Sequence, residues 1–177
     1  MAVARNRSYY SVLPLLRSKA VSSATKIRMY KTIIRPVLLY GSEAWCLTAN
    51  DEKNLRIWER KVLRKISGPI CVAGYWRSRT NEEVRQLCGE LDIVTEIKKG
   101  RLRWLGHVER ISDERVVKRL YQNTPEGSSS VGRPRLRWMD DMREDLRRMG
   151  LTNWRIRAHR RDDWTMVMKE AKVLQGL

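Results

Sequence analysis

Residues 51–67 read DEKNLRIWERKVLRKIS, and this stretch decides the fold class. Leu55, Trp58, Val62 and Ile66 recur at three- and four-residue steps, the spacing at which side chains share one face of an α-helix. Asp51 and Glu52 stand in the first turn and Arg64 and Lys65 in the last. Each sign is at the end where the helix dipole favours it. Gly68-Pro69 stops the run, because glycine readily adopts the left-handed conformation after a helix and proline cannot continue one.

The same period recurs on both sides. Upstream, Ser22 or Ser23 caps a helix through Ile27, Tyr30, Ile33 and Ile34. Pro36 splits it into two pieces, since proline removes a backbone donor and clashes with the preceding turn. Tyr9, Val12, Leu13 and Leu16 form a helix over 6–20 in which Pro14 is a kink or a break. Downstream, 69–79 reads as a loop, and Thr80 with Glu83 makes a capping box for a short helix ending at Gly89. Asp92 opens another helix with the stripe Ile93, Ile97, Trp104, Leu105 and Val108, weakened in the middle by Gly100. A short helix follows over 113–121. The stretch TPEGSSSVG over 124–132 holds turn formers and no core pattern. Pro134 suits the first turn of the next helix, where Met139, Met142, Leu146 and Met149 step by three and four until Gly150. Thr152 opens the last helix, with Trp164, Val167, Ala171 and Leu174 inward. No alternating strand pattern and no internal repeat appears. These readings predict an all-α fold, an irregular helical bundle with a flexible loop before the last helices. It divides into a helical region over 1–121, a linker over 122–132 and a C-terminal helical extension over 133–177.

Composition narrows the function. The chain has 177 residues, 42% of them hydrophobic, with 37 Lys and Arg against 20 Asp and Glu and a net charge of +17. The apolar content is that of a globular protein and argues against a disordered polycation. No apolar run approaches the ~20 residues that span a bilayer. Leu13, Leu15 and Leu16 are interrupted by Pro14 and Arg17, unlike the core of a signal peptide. Cys46, Cys71 and Cys88 are odd in number and widely spaced, which argues against a disulfide framework and for a nuclear or cytoplasmic rather than secreted protein.

A surface this basic attracts polyanions. RNA or DNA is the default partner, bound mainly through its phosphate backbone with release of counterions. An anionic membrane surface and an acidic protein are the alternatives. The first 50 residues hold eight basic residues and one acidic one. Among them Lys26, Arg28, Lys31 and Arg35 lie along one helix without an acidic neighbour and are candidate phosphate contacts. Arg101 and Arg103 join them from RLRWLGH over 101–107. Trp104 in that block is expected to face the core, because the apolar stripe continues on either side. Exposed, it would stack on a base. Arg133, Arg135 and Arg137 stand in GRPRLRW over 132–138. They suit phosphate contact, or entry of an extended Arg-Pro segment into a narrow minor groove.

Catalytic chemistry finds no support. Asp140-Asp141 invites comparison with two-metal carboxylate pairs, but adjacent helical residues point about 100° apart and do not converge. An acidic first turn on the helix dipole accounts for them. Cys46, Cys71, Cys88, His107 and His159 lack the close pairs of zinc modules. No cysteine has a convincing histidine partner, and no phosphate-binding glycine loop or nucleophile elbow is present. No catalytic residue, metal or cofactor is expected.

Four blocks, in order, resemble the C-terminal (thumb and post-palm) region of non-LTR, LINE-type retrotransposon reverse transcriptases. They are KIRMYKTIIRPVLLYGSEAW over 26–45, ERKVLRKI over 59–66, RLRWLGHV over 101–108, and GRPR over 132–135 with Trp138 and Asp141. The resemblance runs from about Arg7 to Lys172 and departs from the family pattern at Arg160 and Thr165. It implies a thumb-like helical region over 1–121 and a C-terminal extension, together gripping template RNA or an RNA–DNA duplex. The catalytic palm is not expected in the 25 residues before Lys26. On this reading the chain is a non-catalytic nucleic-acid-binding fragment, contacting phosphates through Lys26, Arg28, Lys31, Arg35, Arg101, Arg103, Arg133, Arg135 and Arg137. The rivals are a helical protein-interaction module, with the methionines of the 134–149 helix and the tryptophans as its sticky face, and a transposon remnant without selected activity.

Overall fold

The computed structural model describes residues 2–89, 92–123 and 137–173. They form ten α-helices with one small hairpin, the mostly helical fold that the periodicity predicts. Two compact units are present: Met1–Ser42 with Ala49–Glu96, and Glu43–Thr48 with Ile97–Leu177. This division falls inside a helix, after Glu96, and not at 122–132. Leu102, Leu105 and Tyr121 share a core with Met142, Leu146 and Trp164, so the stretch 97–121 belongs with the C-terminal helices. Residues 124–132 of the expected linker lie outside the described residues.

The first unit contains α1 (Ala2–Arg17), α2 (Ser23–Met29), a π-helical turn (Tyr30–Ile34), α3 (Arg35–Leu39), α4 (Ala49–Ser67), β1 (Ile70–Val72), β2 (Tyr75–Arg77) and α5 (Asn81–Cys88). Ser22 caps α2, its hydroxyl accepting from the Thr25 N–H at 3.2 Å. The π turn ends two residues before Pro36, and Arg35 donates its N–H to the Tyr30 carbonyl, five residues back. The helix widens by one residue where proline cannot donate. Val12, Leu16, Tyr30, Ile34, Val62, Leu63, Ile66, Val84 and Cys88 make the core, each large apolar side chain contributing about 1.5–3 kcal/mol by burial.

A buried carboxylate sits inside this unit, with the buried Arg35 among its neighbours. Glu59 Oε1 accepts from the Tyr30 hydroxyl at 2.5 Å, and Oε2 accepts from the Ile93 N–H at 3.0 Å. Burial pushes the Glu59 carboxyl up from its ordinary value. Burial and the adjacent carboxylate push the Tyr30 hydroxyl up too, while the Arg35 charge opposes both shifts.

The hairpin replaces the expected loop over 69–79. Ala73 and Gly74 both have positive φ, 49° and 84°. That is the two-residue turn whose twist matches a β-ribbon. Strands of three residues are too short to show an alternating pattern. The capping box at Thr80 and Glu83 is present, and α5 ends on Gly89 in the left-handed conformation.

The second unit takes most of α6 (Ile93–Arg110), then α7 (Val116–Gln122), α8 (Trp138–Arg148), α9 (Trp154–His159) and α10 (Arg161–Val173). Asp92 caps α6, accepting from the N–H groups of Val94 and Thr95 at 2.9 and 3.1 Å. Gly100 does not interrupt α6. The single last helix expected from Thr152 is instead α9 and α10, divided at Arg160, whose backbone is extended. Trp164, Val167 and Ala171 point inward.

Two tryptophans tie this unit together. The Trp138 indole donates to the Glu43 carbonyl at 2.8 Å, and the Trp164 indole donates to the Leu102 carbonyl at 3.0 Å. Trp164 lies against the backbone of Gly106, where a Cβ would fall within 2.8 Å of its Nε1, Cδ1 and Cε2 atoms. Glycine in the middle of α6 is therefore a packing requirement.

Candidate nucleic-acid interface

Within the first unit, the candidate cations do not share one exposed helix face. Lys26 and Lys31 are half-buried and Arg28 is exposed. Lys26 and Arg28, two residues apart on α2, leave the helix on different sides. Arg35 is 4% exposed and serves the buried Tyr30–Glu59 cluster. It is withdrawn from the set of phosphate contacts, because a guanidinium packed in the core cannot reach a polymer in solvent.

Arg101 is withdrawn for the same reason. It is fully buried, with Nη2 at 2.8 Å from Asp141 Oδ2 and Nη1 at 3.7 Å from Asp145 Oδ2. Lys98 Nζ pairs with Asp145 Oδ1 at 3.0 Å, and the Leu47 N–H donates to Asp141 Oδ2 at 3.3 Å. Two cations thus meet two carboxylates away from water, which limits the cost of burying each. Burial pushes the Asp145 carboxyl up despite both cations. Asp141, read from the sequence as an acidic first turn, also holds Arg101. The sequence blocks around Arg101 and Trp138 are structural partners, since the guanidinium lies 5.9 Å from the Trp138 ring centre.

Arg103, two residues on, has the opposite fate. It is exposed and lines an open groove of about 820 Å³ between α6 and α10. Lys99, His107 and Arg110 line it from the α6 side, on the four- and three-residue steps that keep side chains on one helix face. Arg161 and Lys169 line it from α10, with Thr165 and Met168 between them, and Glu43 supplies one carboxylate at the edge. Arg110 donates from Nη1 to the Ala158 carbonyl at 2.6 Å. Burial and the neighbouring Arg161 charge lower its pKa: two guanidinium groups repel each other across the groove, and a bound anion would relieve that repulsion.

Among the described residues, Arg103, Arg161 and Lys169 have no carboxylate within ion-pair distance. Elsewhere on this unit, Arg143, Arg147, Arg148, Arg157 and Arg160 lie 2.9–3.9 Å from Asp or Glu oxygens. The groove therefore gathers uncompensated positive charge on one surface; the exposed Arg115, Arg119 and Arg137 of this unit also lack a carboxylate partner among the described residues but do not line it.

Trp104 overturns its expected place in the core. It is 37% exposed and lines the groove, its ring 5.4 Å from that of His107 and tilted by 38°. The buried stripe of α6 runs through Ile97, Arg101, Leu102, Leu105 and Val108, and Trp104 falls at its edge. Arg137 is exposed at the start of α8. Arg133, Arg135 and Pro134 lie outside the described residues.

Of the possible zinc ligands, Cys88 is buried in the first core, Cys71 is exposed on β1 and Cys46 is half-buried. No three His, Cys, Asp or Glu side chains converge on a point among the described residues. Among the same residues, no helix is long and apolar enough to cross a membrane.

Sequence reasoning did not single out Lys99, Arg110, Arg161 and Lys169, which the structure brings to this groove. The i, i+4, i+8 spacing of Lys99, Arg103 and His107 was a usable signal. The pairing of that face with Arg161 and Lys169 was not, since it depends on Trp164 packing on Gly106.

Comparison with known proteins finds similarity to one transposon-derived protein. No family model matches this chain, and no solved structure does. It is similar to a transposon-derived protein of Caenorhabditis elegans, 27% identical over 150 residues that cover 81% of this chain and 54% of that protein. The chain spans about half the length of that relative. The likeness supports a transposon origin.

Proposed function

We propose that this chain binds RNA or DNA through phosphate contacts in the α6–α10 groove, as a non-catalytic segment descended from a LINE-type reverse transcriptase. One observation carries the reading: Arg103, Arg161 and Lys169 face a common groove without a carboxylate partner among the described residues. Lys99 and Arg110 extend the positive surface along α6. From Lys99 to Arg110 the helix advances by about 16 Å at 1.5 Å per residue. That length matches roughly five phosphates at the 3.4 Å axial spacing of a helical strand. Phosphate contacts carry little sequence information, so sequence preference is slight. The exposed Arg28 and Arg137 add charge without belonging to the groove.

The methionine part of the rival interaction face is withdrawn from solvent, while Trp76 and Trp104 of its tryptophan part are exposed. Met142 is fully buried, and Met139 and Met149 pack against the same core.

A salt titration tests the proposal. Five groove cations on phosphates give a slope of log K against log salt of about −3.5 for a single strand or −4.5 for a duplex. Replacing Arg103, Arg161 and Lys169 by glutamine should make that slope shallower by about 2–3. An affinity that does not change with salt would refute it.

A further inference from the structure

We propose that the groove takes single-stranded nucleic acid, with one unpaired base stacked on the Trp104–His107 pair; this rests on the phosphate-binding reading above. Three observations meet here. Trp104 is an exposed tryptophan on the wall of a groove lined by Arg103, Arg161 and Lys169. Other exposed aromatics, such as Tyr40 and Trp76, do not line it. The Trp104 indole and the His107 imidazole touch at 5.4 Å, so they offer adjoining rings rather than one isolated ring.

The third observation is Gly100. Helical side chains lean over the turn before them, so Trp104 extends towards Gly100, which also lines the groove. A Cβ at Gly100 would meet no heavy atom within 4 Å, and its φ is not positive. Neither packing nor backbone angle requires glycine there, although glycine disfavours a helix. The groove is open at this position, and no atom of the Trp104 ring lies within 4 Å of where a Cβ would stand. This contrasts with Gly106 on the same helix, where Trp164 fills the space.

Together these features place a flat apolar ring in an open groove with fixed positive charge. An unpaired base presents a π-face to such a ring while its flanking phosphates meet the cations. In a duplex that face is already covered by neighbouring bases, and only the phosphates remain available.

Three labelled probes test this with the full chain at low salt: a single-stranded oligothymidylate of about 12 nucleotides, within the site sizes of such grooves, an abasic strand of the same length, and a duplex. The base-bearing strand should bind roughly 5- to 150-fold more tightly than the abasic strand, the effect of one stacked base. Trp104→Leu should abolish that difference and leave the abasic strand and the duplex unaffected. Trp104→Tyr should preserve most of it. Equal binding of the two single strands by the unaltered chain would overturn the stacking and leave phosphate binding intact. An equal loss of duplex affinity in Trp104→Leu would also overturn it. Failure of all three probes to bind would overturn both readings.

Discussion

Replacing Gly106 by alanine tests the packing on which the groove depends. The new Cβ would lie within 2.8 Å of three Trp164 ring atoms, at least ~0.7 Å inside an ordinary non-bonded contact. Trp164 is 2% exposed and enclosed by Leu102, Leu105, Val167 and other core residues, so the ring has little room to retreat. Forcing a methyl group into a packed core costs about 1–3 kcal/mol. If the indole shifts, it also loses its bond to the Leu102 carbonyl, and a buried donor left unsatisfied costs about 1–3 kcal/mol more. Alanine recovers about 1 kcal/mol of helix propensity. The net expectation is a destabilisation of about 3 kcal/mol, a large share of the ~5–15 kcal/mol that holds a typical domain folded. Urea unfolding followed by circular dichroism reads the change. Gly100→Ala is the internal control: same helix, same substitution, no atom within 4 Å of the new Cβ. It should stabilise by up to about 1 kcal/mol. If Gly106→Ala proves as stable as Gly100→Ala, Trp164 does not rest on Gly106 and the pairing of α6 with α10 is wrong.

Arg101→Met should destabilise by about 3–5 kcal/mol, because it leaves buried carboxylate charge uncompensated, whereas Arg103→Gln should stay within ~0.5 kcal/mol of the parent and lower the salt slope by about 1. Unfolding midpoints and salt titrations of the two variants separate the roles. Tyr30→Phe removes one of two donors to the buried Glu59 and should cost about 1–3 kcal/mol; an unchanged urea midpoint would contradict the buried cluster. Glu83 is held down at about 2, chiefly by its bonds from Arg77 and also from the Thr80 N–H. A depressed carboxyl contributes stability in full above its ordinary value of 4.5, and this is lost as pH falls towards 2. Glu83→Gln should therefore flatten the acid limb of a stability–pH curve in that window, and an unchanged limb would refute the pairing.

The sequence alone carried the helical class. It also carried the Ser22 and Asp92 starts, the Thr80–Glu83 capping box and the stop at Gly68. Each of these is a relation among residues a few positions apart, and the backbone must satisfy it locally whatever the chain does elsewhere. The charge of +17 was equally legible. The hairpin was not, because its three-residue strands are specified by the turn at Ala73-Gly74 rather than by alternation.

What only the tertiary structure decided is which cations meet solvent. Arg101 and Arg103 stand two residues apart in one basic block. Helical rotation sends the first into the core against Asp141, about 40 residues away, and leaves the second on the groove. Trp104 stands at the edge of an apolar stripe, and no local rule says on which side of that edge it falls. The opposition of α6 to α10 rests on an indole laid against a glycine, with a hydrogen bond spanning 62 residues of chain. Periodicity says which side chains share a helix face. Which faces pack together, and so which charges remain uncompensated, is settled by shape complementarity between distant segments.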